Sequence, residues 1–150
     1  MKQVVLLIWI IIPLLVQAQN QKLNVHFSNL KSNEGKIRVA LFEGKENYAK
    51  KEAVQTTVLT IENNEAVWKV DSVYEGKKYI LAAFHDENDN GKLDLGMMQI
   101  PAEGYVFSNN TLAEMGPPNP DKMLFEVRKN EITTQNLTMI YFDFSIFQKK

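Results

Sequence analysis

Tyr79-Ile80-Leu81-Ala82-Ala83-Phe84-His85-Asp86-Glu87-Asn88-Asp89-Asn90-Gly91-Lys92-Leu93-Asp94 is the stretch on which the reading turns. Its first half is an almost unbroken apolar run of strand length, suited to a central strand. Its second half is polar and acidic, and it bends at Asn90-Gly91. A buried strand feeding directly into an acidic loop predicts a β fold with its chemistry at a strand end.

The rest of the chain agrees. Leu23, Val25 and Phe27 alternate with Asn24, His26 and Ser28, the period of a half-buried strand. Ile37, Val39 and Leu41 repeat the pattern after the polar turn 29–35. Lys45 to Ala53 suits a short helix that packs Tyr48 on the sheet. Val54 to Ile61 is rich in β-branched residues, Glu62-Asn63-Asn64-Glu65 reads as a turn, and Ala66, Trp68 and Val70 alternate again. Leu124 to Val127 and Glu131 to Phe144 read as a closing hairpin around Lys129-Asn130. The expected fold is all-β: an antiparallel β-sandwich, prealbumin-like or immunoglobulin-like, of six to seven strands. One long loop, Asp86 to Lys122, stands apart. It holds Gly91, Gly96, Gly104 and Gly116 together with Pro101, Pro117, Pro118 and Pro120, and a loop of that length is expected to be functional.

The N-terminus reads as an address. Lys2 precedes an apolar run from Val4 to Val16, and Val16-Gln17-Ala18 fits a cleavage site after Ala18. The run is shorter than the roughly 20 residues a transmembrane helix needs. The expected organisation is a signal peptide over 1–18 and a single β-sandwich domain over 19–150. The mature protein is expected to be periplasmic or secreted, with no membrane span.

Composition narrows the chemistry. The 17 Lys and Arg against 18 Asp and Glu leave no basic excess for nucleic acid. The chain has no Cys, which excludes disulfides, thiolate metal sites and Cys nucleophiles. An exported domain without disulfides can use an ion to hold its longest loop.

The acidic loop fits D-x-[DN]-x-[DN]-G-x-x-D. Ca²⁺ is a hard cation that takes about six to eight oxygens. Side chains at alternate positions of a tight curl face one point, so Asp86, Asn88 and Asn90 would supply three oxygens. Gly91 permits the sharp bend, Lys92 would offer its backbone carbonyl, and Asp94 would coordinate directly or through water. The twelfth loop position, where an EF-hand has a bidentate Glu, is Met97. The flanks are strand-like on one side and broken by Gly96 and Pro101 on the other. The expectation is therefore an EF-like calcium loop hung from a β-strand, with Glu103 folding back as the missing carboxylate and an affinity of about 10⁻⁴–10⁻³ M. The competing reading is a plain Asn-Gly turn with solvated acids.

The run Ala82 to Asp94, followed by Ile100-Pro101-Ala102-Glu103-Gly104-Tyr105, Phe107-Ser108-Asn109-Asn110 and Gly116-Pro117-Pro118, resembles the bacterial family catalogued as domain of unknown function 2141. Gln99 departs from the Gly usual there before Ile-Pro. The resemblance implies an exported single-domain β-sandwich of undetermined activity. More locally, the ion loop is similar to calcium loops in the B-type repeats of bacterial surface adhesins.

Other residues carry weaker signals. His85 beside Asp86 invites a metal-dependent hydrolase, but a catalytic zinc needs three protein ligands and the chain has only His26 and His85. In a strand His85 faces away from Asp86, which favours a packed or hydrogen-bonded role. No nucleophile elbow, phosphate loop or paired catalytic carboxylates occur, so no enzyme is expected. Tyr105, Phe107, Ser108, Asn109 and Asn110 form an aromatic-amide patch. It would either bind an extracellular glycan or peptide, or anchor the long loop on the sandwich.

Overall fold

In the computed structural model, residues 22–112 and 118–143 are described. The signal-peptide reading therefore lies outside the described residues, as do Gly116 and Pro117. Alternation builds the first sheet. Leu23, Val25 and Phe27 of β1 (Leu23–Ser28) are buried while their neighbours are half-exposed. Ala66, Trp68 and Val70 of β4 (Ala66–Val70) repeat the pattern and pair antiparallel with β1. The last strand, β8 (Thr133–Thr138), takes the other edge of β1, giving the order β4-β1-β8.

The second sheet is centred on β2 (Lys36–Glu43) and β5 (Lys78–Asp86), antiparallel over eight residue pairs from Lys36↔Asp86 to Glu43↔Tyr79. Outside β2 lies β3 (Gln55–Leu59), and outside β5 lies β6 (Tyr105–Phe107). β7 (Phe125–Glu126) pairs with the first residues of β5, end to end with β6. The inner faces of the two sheets form the main core, which includes Ile37, Val39, Leu41, Leu81, Ala83, Val106, Leu137 and Met139. At one edge the sheets are joined by a pair of backbone bonds between Tyr105 and Ile140.

β5 is central, as its apolar run implied, and the first part of its outer face is covered. A second cluster of Phe42, Ile80 and Met123 forms there under α1 (Gly44–Lys50) and α2 (Pro120–Met123). Tyr48 of α1 stands edge-on to Phe42 with ring centroids 5.4 Å apart, the packing that the sequence predicts. The Glu62–Glu65 turn also forms, with Asn63 and Asn64 both in the left-handed region that asparagine tolerates.

The fold is thus an all-β sandwich of eight strands among the described residues, and three expectations need correction. Asp86 to Lys122 is not one long loop, since it contains β6, two 3-10 turns and the start of α2. The closing hairpin does not form. Phe125 and Glu126 bond to β5 in one sheet, and the chain then crosses to the other sheet. There β8 runs parallel to β1, from Leu23↔Thr133 to Ser28↔Thr138. A parallel neighbour places Thr133, Leu137 and Met139 in the core without a local turn, so the last pair of strands is not antiparallel as the sequence pattern implied.

Candidate metal centre

The site begins where β5 ends. Asp86 is the last residue of the strand, and its side chain is fully buried. Its Oδ1 accepts the Asn90 N–H at 3.0 Å and its Oδ2 the Gly91 N–H at 2.8 Å, which closes the loop into a curl. Gly91 sits at φ +84°, a left-handed bend that suits glycine. Gly35 supports the curl from below, because a Cβ there would run into the Asp86 carbonyl and the Glu87 backbone.

Within the curl each polar side chain serves the next residues. Asn88 Oδ1 accepts the Asn90 N–H at 3.1 Å, and Asn90 Oδ1 accepts the Lys92 N–H at 2.8 Å. The two amide nitrogens turn to Asp94. Asn88 Nδ2 lies 2.7 Å from one of its oxygens, and Asn90 Nδ2 lies 3.0 and 3.1 Å from the two. Alternate residues of the motif are therefore within hydrogen-bond reach of one another, as the spacing predicts.

Glu103 does fold back. It is buried, and its two oxygens accept the Glu87 N–H at 2.9 Å and the Asp94 N–H at 3.0 Å, which braces both sides of the loop. The Lys92 side chain is exposed. The donor set, all oxygen, suits a hard cation. Among the described residues, however, no group of three or more His, Asp or Glu side chains is gathered so as to hold a metal. The oxygens are divided between two carboxylates and two amides, with Glu103 turned to the backbone.

The residue that sequence reading missed is Arg38, on the outer face of β2. Its Nε donates to Asp86 Oδ2 at 2.5 Å and its Nη2 to Asp89 Oδ1 at 3.0 Å. Burial alone would push the Asp86 carboxyl up. The bonds from Arg38, Gly91 and Asn90, with the arginine charge, outweigh it and hold that carboxyl below its ordinary value. In sequence Arg38 is only one of the polar positions alternating with Ile37 and Val39. The faint signal was its place in a sheet face whose next members, Ala40 and Ala82, are small and apolar.

His85 points the other way and belongs to the packing. It is fully buried, with Nε2 2.7 Å from the Glu34 carbonyl oxygen and Nδ1 2.7 Å from the Tyr141 hydroxyl. That hydroxyl also accepts the Lys31 N–H at 3.1 Å. Burial, helped by the Glu87 charge and opposed by the Lys31 bond, pushes Tyr141 up to about 12. Both imidazole nitrogens are engaged, so the ring ties the 31–34 turn to β5.

The Tyr105–Asn110 patch is divided by the structure. Ser108 is buried, with its hydroxyl accepting the Leu81 N–H at 3.0 Å and donating to the Met123 carbonyl at 2.6 Å. Asn109 Nδ2 donates to the carbonyls of Lys122 and Leu124, and Asn110 bonds both Asn136 and Thr138 of β8. These three residues staple the loop to the sandwich. Tyr105 and Phe107, with ring centroids 6.0 Å apart, instead line a groove of about 1440 Å³ on the outer face of the larger sheet. Ala40, Ala82 and Phe84 share that lining with Met98, Ile100 and Pro101, and Arg38 lies among them.

Fold and site together define a β-sandwich domain carrying an acidic, strand-borne loop beside an apolar groove. The family model for "Uncharacterized protein conserved in bacteria (DUF2141)" matches residues 25–135. The chain belongs to that family, as the motif blocks of the sequence implied. No curated protein and no solved structure matches the chain.

Proposed function

We propose that this protein is an exported, non-catalytic β-sandwich module whose 86–94 loop binds Ca²⁺. The observation that carries the reading is the curl itself. Asp86, Asn88, Asn90 and Asp94 occur at calcium-loop spacing, Gly91 takes the left-handed bend, and the polar side chains are drawn together. Asp86, Asn88, Asn90 and Asp94 would hold the ion through side-chain oxygens, with the Lys92 carbonyl and Glu103 completing the set. The ion supplies positive charge to a buried carboxylate and pins the loop. Its role is structural or a condition for binding.

Few of these ligands are charged, so affinity falls near that of extracellular calcium modules, about 10⁻⁴–10⁻³ M. At a calcium concentration about ten times the dissociation constant, linkage adds about 1.4 kcal/mol. That raises the melting temperature by roughly 5 °C for a domain of this size. Scanning calorimetry in calcium against EDTA, with magnesium as control, reads it directly. Identical melting curves in calcium and EDTA would remove the ion from the account. N-terminal sequencing of the mature protein tests export, with Gln19 expected as the first residue.

A second reading has an observation of its own. Tyr105 and Phe107 line the outer groove, where stacking surfaces suit a glycan or peptide ligand. Glycan and peptide arrays probed with the wild type and Tyr105→Ala decide it. Signals that survive the substitution, or none at all, dismiss the groove as the binding surface.

A further inference from the structure

The structure pairs the first carboxylate of the loop with a cation from the protein's own chain. Arg38 reaches across from β2 and bonds Asp86 and Asp89, the first and fourth residues of the motif. Its guanidinium also lies against the sixth, since a Cβ on Gly91 would stand 3.8 Å from Arg38 Cζ and Nη2. The Asp86 side chain is fully buried, while the Arg38 side chain is 29% exposed, so the arginine is the member of the pair with room to leave.

Lone pairs limit what Asp86 can do. A carboxylate offers about four acceptor positions. Three are used by the N–H groups of Asn90 and Gly91 and by Arg38 Nε. The two backbone bonds form the curl and must remain for the loop to keep its shape. The fourth position, on Oδ1, is open to an ion, and of the three bonds the arginine's is the one whose loss leaves the curl intact. A divalent cation and a guanidinium on one carboxylate also repel each other at close range.

We propose that Arg38 is an internal counter-cation that competes with Ca²⁺ for Asp86. It holds the loop closed when calcium is low and sets the calcium affinity by having to be displaced. The inference rests on the calcium reading of the loop and adds its regulation. The alternative role for an arginine in this place is to orient Asp86 for the metal, and the two roles differ in sign. Removing a competitor tightens calcium binding, whereas removing an orienting group weakens it.

Calorimetric titration of the full mature chain with calcium separates them, using wild type, Arg38→Gln and Arg38→Lys. Competition predicts that Arg38→Gln binds calcium about tenfold more tightly, within the usual range for coupled equilibria. Arg38→Lys, whose single ammonium does not grip both aspartates, tightens binding by a smaller factor. In EDTA Arg38→Gln melts below the wild type, and calcium narrows that gap. If Arg38→Gln does not fold without calcium, folding it in calcium and titrating the lysine variant still give the sign. A dissociation constant for Arg38→Gln equal to or weaker than that of a calcium-binding wild type overturns the competition and leaves the calcium loop standing. No binding by any of the three chains removes the calcium loop, and the competition with it.

Discussion

His85 and Asp86 are adjacent on one strand, both fully buried, and the protein treats them in opposite ways. His85 faces the inner side, where Glu34, Tyr141 and Lys31 complete a circuit of hydrogen bonds. Asp86 faces the outer side, where backbone amides and a guanidinium from the next strand balance its charge. The comparison teaches that a buried polar residue beside a motif is not for that reason part of it. What distinguishes the two is a charge that needs a counter-charge.

Replacing each in turn is the strongest way to break the comparison. Asp86→Ala strips the acceptor from two backbone amides and from Arg38, and should cost about 3 kcal/mol. It should also abolish any calcium-dependent shift in melting temperature. His85→Ala leaves a cavity and unpaired partners at Glu34 and Tyr141, at a cost of about 2–3 kcal/mol. Its calcium response should stay as large as that of the wild type. Chemical denaturation with and without calcium gives both numbers, and a calcium response lost in His85→Ala would mean that the two faces act as one site.

The two faces should also separate by pH, with a smaller effect, through Asp86 on the outer side and Tyr141, the partner of His85, on the inner. The Asp86 carboxyl is held below its ordinary value in the folded state, so its contribution is complete above the unfolded value near 3.9. It is lost as pH falls through the lower folded value. Tyr141 is pushed up to about 12, above an unfolded value near 10, so its contribution is complete below about pH 10. It is lost as pH rises from there towards 12, at a cost of about 1–2 kcal/mol after allowing for solvent screening. Asp86→Ala should therefore flatten the acid limb of a stability profile, and Tyr141→Phe the alkaline limb. A change on the opposite limb contradicts the assignment.

Much of the fold was legible because alternation is local. Leu23 to Phe27, Ile37 to Leu41 and Ala66 to Val70 announce their strands by period alone. The run Tyr79 to Phe84 announces a central strand, and β5 is central, with Ile80 covered by α1 and α2 while Ala82 and Phe84 line the groove. Pairing is not local, and there the sequence misled. Nothing near Thr133 says that its partner is Leu23, in parallel, rather than the strand just before it. β6 was hidden because three residues show no period, and β7 was expected as a strand but with the wrong partner.

The site divides along the same line. The loop spacing was readable because one turn of chain holds all of it. Glu103 was expected at the loop and is there, although its oxygens hold backbone amides. Ser108, Asn109 and Asn110 look like ligand-binding residues in a sequence because staples and ligands draw on the same side chains. Arg38 stands 48 positions before Asp86, and only the register of β2 against β5 brings the two together.

The most direct test of the calcium loop is a crystal structure of the mature protein grown in millimolar calcium. The account predicts density for one ion among Asp86, Asn88, Asn90, Asp94 and Glu103, with oxygens at about 2.3–2.6 Å and Arg38 displaced from Asp86. A loop holding solvent alone, with the arginine still bonded to Asp86, would contradict it.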